Sequence, residues 1–549
     1  MTQNQTTYQG DHVNTKTKFL PTALLGLALS ASLLGGAQAN EKGGACMNVL
    51  KIEGGQIAQP AANEQGLHIY KGIPFAAPPV GELRWKPPQA VNPWQGTLAV
   101  DQWGARCYQS QRLGALDPNN PNMSEDCLYL NVWAPSKAKG LPVMVWIHGG
   151  SNLNGAASQP EFDAAAWAKR GVVAVSINYR VDVFGFMAHP ELTAESGTQS
   201  SGNYGLLDQI AALKWVQRNI AQLGGDPKNV TILGESAGAI DVSLLLVSPL
   251  SKGLFQKAVG QSGSALVPIG LFSPRPLAQG EAHGLRMADA LGAKSVAQMR
   301  QATSAEVLQA SAKQPSIVGL GVIDGYVVPE SPTRLMLQGK GADVPLLLGS
   351  NADEGSLFSA RMPLPPNAAA YEALMTAQFK DQAPKALALY PAGAQGELIK
   401  SSFSDLIGDQ IINYGTWAWA DRAAKNNRSP VYRYFFSRRP PLAPELSIYP
   451  LTAPGAYHFA EVVYAFDNLA VRPDWGWQKA DHTLAKTMAD YWTNFAKTGN
   501  PNGSGLPQWP AYKAPSNQVM GLGENIGVVS EPHPDRYQFL DAFYTSAAP

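Results

Sequence analysis

The chain has 549 residues and balances 42 Lys+Arg against 42 Asp+Glu, a formal charge of zero. That balance leaves no electrostatic footprint for nucleic acid or for an anionic membrane surface. With 45% apolar and only 15% charged residues the chain can bury a core, which excludes intrinsic disorder, and 53 Gly, 42 Pro and 13 Trp speak for a loop-rich enzyme rather than a helical bundle.

At the N-terminus, Lys16 and Lys18 precede an apolar run from Phe19 to Leu34 that ends at Ala37-Gln38-Ala39, a small-residue cleavage pattern. Its 16 residues fall short of the ~20 needed to span a bilayer. The expectation is a signal segment over 1–39, an exported protein in the periplasm or outside the cell, and a mature chain over 40–549 with no membrane span. Export permits disulfides, and the three cysteines are Cys46, Cys107 and Cys127, so any single bridge leaves one over.

Along the mature chain there is no repeat, low-complexity block or Pro/Ser linker. Short apolar runs at Pro142–Ile147, Val172–Ile177, Val230–Leu233, Ala258–Gly260, Val344–Leu348 and Val431–Phe436 read as buried strands. Leu206–Leu223 and Ala237–Leu246 have helical period and length. The alternation predicts an α/β fold, a mostly parallel central sheet with helices on both faces.

Within that pattern, Val230–Gly238 (VTILGESAG) runs strand, sharp turn, helix. Small residues at 234, 237 and 238 let the backbone turn tightly around Ser236, which would expose its hydroxyl in a strained conformation at the C-terminal edge of the sheet. The following helix aims its first N–H groups at the same place, where an oxyanion would develop. A serine nucleophile needs a base, and the base needs an orienting carboxylate. In the order Ser, acid, His, the acid belongs after a later strand, where Asp353 and Glu354 follow the run at Val344. Beyond them stand only His458, His482 and His533. His482 falls in a helical stretch and His533 between two prolines, so His458, in the loop after Val431–Phe436, is the preferred base.

The segments Glu125–Pro135 (EDCLYLNVWAP) and Gly224–Gly238 resemble the two signatures of the type B carboxylesterase and cholinesterase family. Tyr70–Pro79, Leu83-Arg84-Trp85, Asn178-Tyr179-Arg180, Asn203–Gln209 and Tyr491-Trp492 resemble further landmarks in family order, so the likeness covers nearly the whole mature chain. It implies an α/β-hydrolase fold and one catalytic domain over 40–549, because triad members 222 residues apart must converge. It implies the triad Ser236, Glu354 and His458, with Glu354 rather than Asp353 as the acid. The N–H groups of Gly150, Ser151 and Ala237 would form the oxyanion hole. Ser151 stands where the family usually has Gly or Ala, which makes any positive φ there harder to meet. Glu235 and Glu461 resemble two carboxylates behind the nucleophile and the histidine. Cys107 and Cys127 match the family's first disulfide, and Arg84 with Glu125 a salt bridge.

The implied reaction is hydrolysis of a small carboxylic ester through an acyl-enzyme, with no metal and no organic cofactor; neither a His-Glu-x-x-His pattern nor a Cys/His cluster is present. A lipase and a hydrolase of aromatic or polymeric esters are the alternatives on the same site. A non-catalytic binding protein on this scaffold would lack the nucleophile, whereas this chain has the whole set.

In cholinesterases the loop between the two bridged cysteines carries a tryptophan whose face holds the quaternary ammonium, an attraction of ~2 kcal/mol when desolvated. Residues 108–126 contain no tryptophan, Tyr108 sits at the wrong end of the loop, and Trp103 lies outside it. Choline esters are therefore expected to have no advantage over uncharged esters of equal size. The check is kcat/KM for butyrylcholine against the isostere with tert-butyl in place of trimethylammonium; a preference of about tenfold or more for the cation would reveal an aromatic cation site.

Overall fold

The computed structural model describes residues 48–110, 117, 120–267, 273–314, 321–441, 454–513 and 517–547. The segment 1–39 and Cys46 lie outside the described residues.

Ten strands make one sheet: β1 Leu67–Pro74, β2 Tyr129–Pro135, β3 Leu141–Ile147, β4 Val173–Ile177, β5 Gly225–Glu235, β6 Lys257–Gln261, β7 Leu346–Asn351, β8 Val431–Phe436, β9 Gln518–Leu522 and β10 Ile526–Ser530. Their spatial order is β10-β9-β8-β7-β6-β5-β3-β4-β2-β1. From β4 through β9 the neighbours are parallel. Both edges turn antiparallel, β10 on β9 at one side and β2 and β1 at the other.

All six apolar runs are strands, and the differences lie at their ends. β5 begins at Gly225, which pairs with Leu141 across a register irregularity before Val230 joins β3. β7 starts only at Leu346, because Pro345 has no N–H to give the ladder. The longer helix, α1, is Tyr204–Asn219; its last turn tightens into a 3-10 stretch, Ile220–Leu223, and stops at Gly224 with φ 85°. A left-handed residue closes a helix at little cost when it has no Cβ. The second helix, α2, is Ala237–Val247.

Because helices cover both faces, strand residues of either parity are buried, which is why the runs read as continuously apolar. On one face Val143, Val145, Ile147, Val230 and Ile232 pack with Leu213, Trp215 and Val216 of α1, Val242, Leu245 and Leu246 of α2, and Trp419 of α3 (Tyr414–Asn426). On the other, Met144, Trp146, Leu233, Val259 and Leu347 meet Leu484, Met488, Trp492 and Phe495 of α4 (Lys479–Thr498).

Cys107 and Cys127 are joined in a disulfide. Arg84 and Glu125 are a buried pair rather than a solvated one, with Nη2–Oε1 at 2.5 Å, Nε–Oε2 at 2.7 Å and side chains 7% and 8% exposed. Arg84 also donates to the Ala302 carbonyl at 2.7 Å, and Ser304 donates to Glu125 at 2.5 Å, so the pair ties three separate segments together.

Trp146 sits at the centre of the α4 face. Its ring lies perpendicular to Phe466 at 4.9 Å and beside Phe162 at 5.1 Å and Trp167 at 6.5 Å. Trp146→Ala is expected to lower stability by ~3–5 kcal/mol, as removal of a buried aromatic does. Urea unfolding would show this as a fall in midpoint with the slope unchanged.

Candidate active site

The end of β5 delivers Ser236. The chain reverses there into α2, and Ser236 takes φ 54° and ψ −122°, a conformation that costs of order 1–3 kcal/mol for a residue with a side chain. Neighbouring contacts over-determine it. The Ser236 N–H donates to the Gln261 carbonyl at 2.9 Å, and its carbonyl accepts from Ile240 N–H at 3.0 Å. The helix also presses close to the sheet: a Cβ on Gly238 would lie 2.2 Å from the Ile147 carbonyl oxygen, and one on Gly234 2.3 Å from that of Gly238. Only glycine fits at either position.

His458 reaches this serine from the loop beyond β8. Its Nε2 is 2.8 Å from Ser236 Oγ and its Nδ1 is 2.6 Å from Glu354 Oε2. With a carboxylate beside Nδ1, that nitrogen donates, and Nε2 is left to accept the serine proton. Glu354 Oε1 in turn accepts the Asn351 N–H at 2.7 Å. The neighbouring Asp353 has a different task. Its Oδ2 accepts the Ala456 N–H at 2.7 Å, and it bridges to Tyr457, pinning the histidine's loop to the end of β7. His482 is exposed on α4, and His533 is exposed ahead of the C-terminal helix.

Three carboxylates surround the imidazole. Besides Glu354, Glu235 Oε1 lies 3.4 Å from Nε2. Glu461 accepts from Asn351 Nδ2 at 2.6 Å and from Gln261 Nε2 at 3.2 Å. Gln261 is itself held by the Trp492 indole N–H at 2.9 Å. Burial alone would lower the His458 pKa, but the charges of Glu235, Glu354 and Glu461 outweigh it and raise it to about 9. Burial pushes Glu235 well up, with Glu461 and Glu354 adding to the rise and His458 opposing it. Burial likewise raises Glu461. The hydrogen bond from Nδ1 to Glu354 holds His458 above its ordinary value.

The turn after β3 supplies the remaining groups. Gly150 has φ 102° and Ser151 φ 58°, so the serine takes the left-handed conformation that its Cβ disfavours. The N–H groups of Leu153 and Asn154 close the turn on the Gly150 carbonyl at 3.0 and 3.2 Å. Asn152 ties it to α2, donating from Nδ2 to Asp241 Oδ1 at 2.9 Å; the other Asp241 oxygen accepts from Gln209 at 2.5 Å. The Tyr179 hydroxyl stands 2.7 Å from the His148 carbonyl and 2.8 Å from Asn152 Oδ1. Burial raises the Asp241 pKa to about 7 against these amide hydrogen bonds. Sequence reasoning left Asn152, Asp241, Gln261 and Asn351 without roles. Asp241 had a visible signal, as the one charged residue in the apolar helix Ala237–Val247.

Trp103 packs on Trp133 at 6.1 Å and carries the Lys71 ammonium 4.5 Å from its ring, so a cation of the protein already uses this indole. Among the described residues there is no group of three His, Cys, Asp or Glu side chains able to hold a metal ion, and no helix long and apolar enough to cross a membrane.

Residues 48–540 match the model of the carboxylesterase family. The chain is 36% identical to the fumonisin B1 esterase of Sphingopyxis macrogoltabida over 488 residues, 84% of this chain and 85% of that protein. It is 35% identical to the para-nitrobenzyl esterase of Bacillus subtilis (strain 168) over 503 residues, 87% and 95% of the two chains. A solved PNB esterase superposes with a TM-score of 0.77 at 32% identity, covering 90% of this chain and 99% of that one. That neighbour shares the α/β-hydrolase fold.

An imidazole can take the serine proton only when neutral, so kcat/KM for an ester should rise with pH. The apparent pKa is expected above the ordinary ~6.5 and no higher than about 9. Glu354→Gln removes the carboxylate hydrogen-bonded to Nδ1 and should lower that apparent pKa as well as the rate. A wild-type value below ~6.5, or one that the substitution leaves in place, would contradict this electrostatic account.

Proposed function

The chain belongs to the carboxylesterase family and is a carboxylic ester hydrolase, and from that premise we propose that it works through an acyl-enzyme on Ser236. Ser236 Oγ attacks the ester carbonyl as His458 Nε2 takes its proton. Glu354 keeps the imidazole in the accepting tautomer and stabilises the imidazolium. The N–H groups of Gly150, Ser151 and Ala237 receive the oxyanion, a task in which each donor is worth ~3 kcal/mol. His458 then hands the proton to the leaving alcohol, and water repeats the sequence on the acyl-enzyme. Glu235 and Glu461 tune the imidazole without touching the substrate.

The observation that carries this reading is the line of contacts at 2.8 and 2.6 Å through Ser236, His458 and Glu354, drawn from three separate strand ends. The relatives' names add substrate range, from fumonisin B1 to a nitrobenzyl ester, and support a small-molecule ester here. We assign residues 40–549 to one catalytic domain and 1–39 to a signal segment removed on export to the periplasm or beyond, a compartment that suits the Cys107–Cys127 disulfide.

Ser236→Ala removes one oxygen and should cut kcat by at least ~10⁴-fold while leaving circular dichroism and the melting temperature unchanged. A serine-reactive phosphonate should label Ser236 alone on peptide mapping. Activity above a trace in the purified variant, or a different labelled residue, would overturn the nucleophile assignment.

A further inference from the structure

The turn after β3 holds three successive residues at positive φ, Gly150 at 102°, Ser151 at 58° and Asn152 at 54°. Two of them carry side chains, and such a conformation persists only where the surroundings impose it. Asn154, two residues on, gives no hold, since neither of its amide atoms has a hydrogen-bond partner. The hold comes through Asn152, which stands in a row with Gln209, Asp241 and Tyr179, all four side chains 0% exposed. The row ends on the carbonyl of His148, where the turn begins.

Four short contacts link the row. Gln209 Nε2 lies 2.5 Å from Asp241 Oδ2, and Asp241 Oδ1 lies 2.9 Å from the Asn152 carboxamide. The other carboxamide atom of Asn152 is 2.8 Å from the Tyr179 hydroxyl, which is 2.7 Å from the His148 carbonyl. Each contact needs one proton. With Asp241 ionised and Asn152 Nδ2 turned toward it, the row is one proton short, because the Tyr179 hydroxyl has a single proton for two acceptor oxygens. One contact would then set lone pair against lone pair. The oxygen and nitrogen of a carboxamide exchange places on a half-turn, and the hydrogen-bond network decides between them. Turning Asn152 over and adding one proton to Asp241 Oδ1 closes the count. Asp241 then donates to Asn152 Oδ1, Asn152 Nδ2 to the Tyr179 oxygen, and the Tyr179 hydroxyl to the His148 carbonyl, while Gln209 still donates to Asp241 Oδ2.

We propose that Asp241 is a neutral carboxylic acid whose O–H starts this chain of donors, and that it is the positioning residue for the turn carrying the Gly150 and Ser151 N–H groups. The use of those N–H groups rests on the acyl-enzyme reading; the proton on Asp241 does not. Electrostatics favour the neutral form. Asp241 stands five residues beyond Ser236 on α2, so a carboxylate there would put a negative charge about 7–8 Å along the helix axis from a developing oxyanion. Charged groups on the elements packed around it are engaged elsewhere. Asp208 of α1 is taken by Arg180, Glu235 at the end of β5 faces His458, Lys257 of β6 meets Asn229, and Arg334 of the helix Pro332–Leu337 pairs with Glu330. His148 stacks on Tyr179 and is pushed down to about 4 by burial. Burial in turn raises Asp241 to about 7, with the amides of Asn152 and Gln209 opposing.

Neutron diffraction from perdeuterated wild type, crystallised below the pH of about 7 to which burial raises Asp241, reads the proton directly. Deuterium should appear on Asp241 Oδ1, with Asn152 Nδ2 directed at Tyr179; a bare carboxylate facing Asn152 Nδ2 would overturn the inference. Asp241→Asn keeps a donor toward Asn152 and an acceptor toward Gln209 but cannot titrate. A carboxyl whose folded pKa is raised costs the wild type stability as pH rises from the ordinary ~3.9 to about 7. The urea midpoint of Asp241→Asn should therefore climb relative to wild type across that window, and a constant or falling difference contradicts the neutral acid. Kinetics tests the positioning. Asp241→Leu, which lacks the donor, should lower kcat by about tenfold or more with KM within about threefold, and Asp241→Asn should recover kcat to within about threefold of wild type. Equal kcat losses in both variants, or a rise in KM alone, would refute the positioning role. Should neither variant fold, the neutron map decides. Phosphonate titration of Ser236 counts active sites in every sample, so failure of the nucleophile assignment would be seen separately from the state of Asp241.

Discussion

His458 shares a dry interior with three carboxylates, and much of the surrounding structure follows from holding that charge in place. Exposed glutamates would be solvated by water; Glu354 and Glu461 are solvated by protein. Glu354 leans on the Asn351 backbone, and Glu461 on the side chains of Asn351 and Gln261, with Trp492 steadying Gln261 in turn. Asn351 and Gln261 are the last residues of two adjacent parallel strands, so the sheet itself aims the dipoles that make the cluster tolerable. Fixed dipoles of this kind need no reorganisation when a proton moves through the imidazole, which is where preorganised sites gain over water.

The same economy governs the strained serine. Its backbone is held by the strand next door, by the first turn of its own helix, and by a contact between helix and sheet too close for any side chain. The turn that carries Gly150 and Ser151 is lashed to that helix through Asn152 and Asp241. Ser236 and the Gly150–Ser151 turn are therefore registered to one element, α2, and not to two separate loops.

Much of this was legible in the residues. The parallel sheet shows because strands covered on both faces must be apolar at every position, and the serine turn shows because glycines flank it where backbones meet. Ser236, Glu354 and His458 could be ordered from strand order and family likeness before any distance was known. What stayed hidden was pairwise. Arg84 and Glu125 look alike in sequence whether solvated or buried, and only the structure shows their side chains 7% and 8% exposed. Nothing in the string Ser151-Asn152-Leu153-Asn154 distinguishes the amide that is anchored from the one that is free. That difference depends on where Asp241, 89 residues later, brings its carboxylate. A Cβ at position 151 disfavours a positive φ, and the structure nonetheless holds Ser151 in the left-handed region.

The separation of the triad along the chain bears on the order of events during synthesis. Ser236 follows the end of β5, yet His458, the base proposed for it, lies 222 residues further on, with β6, β7 and β8 between them in the chain. Parallel strands of this kind pair only after long crossovers, which makes them late and slow to assemble. On the proposed triad, a nascent chain that has completed its serine turn holds that serine with no base beside it. On the same reading, chemical competence waits for the part of the fold that brings in His458, and so reports the fold's completion and not merely its beginning.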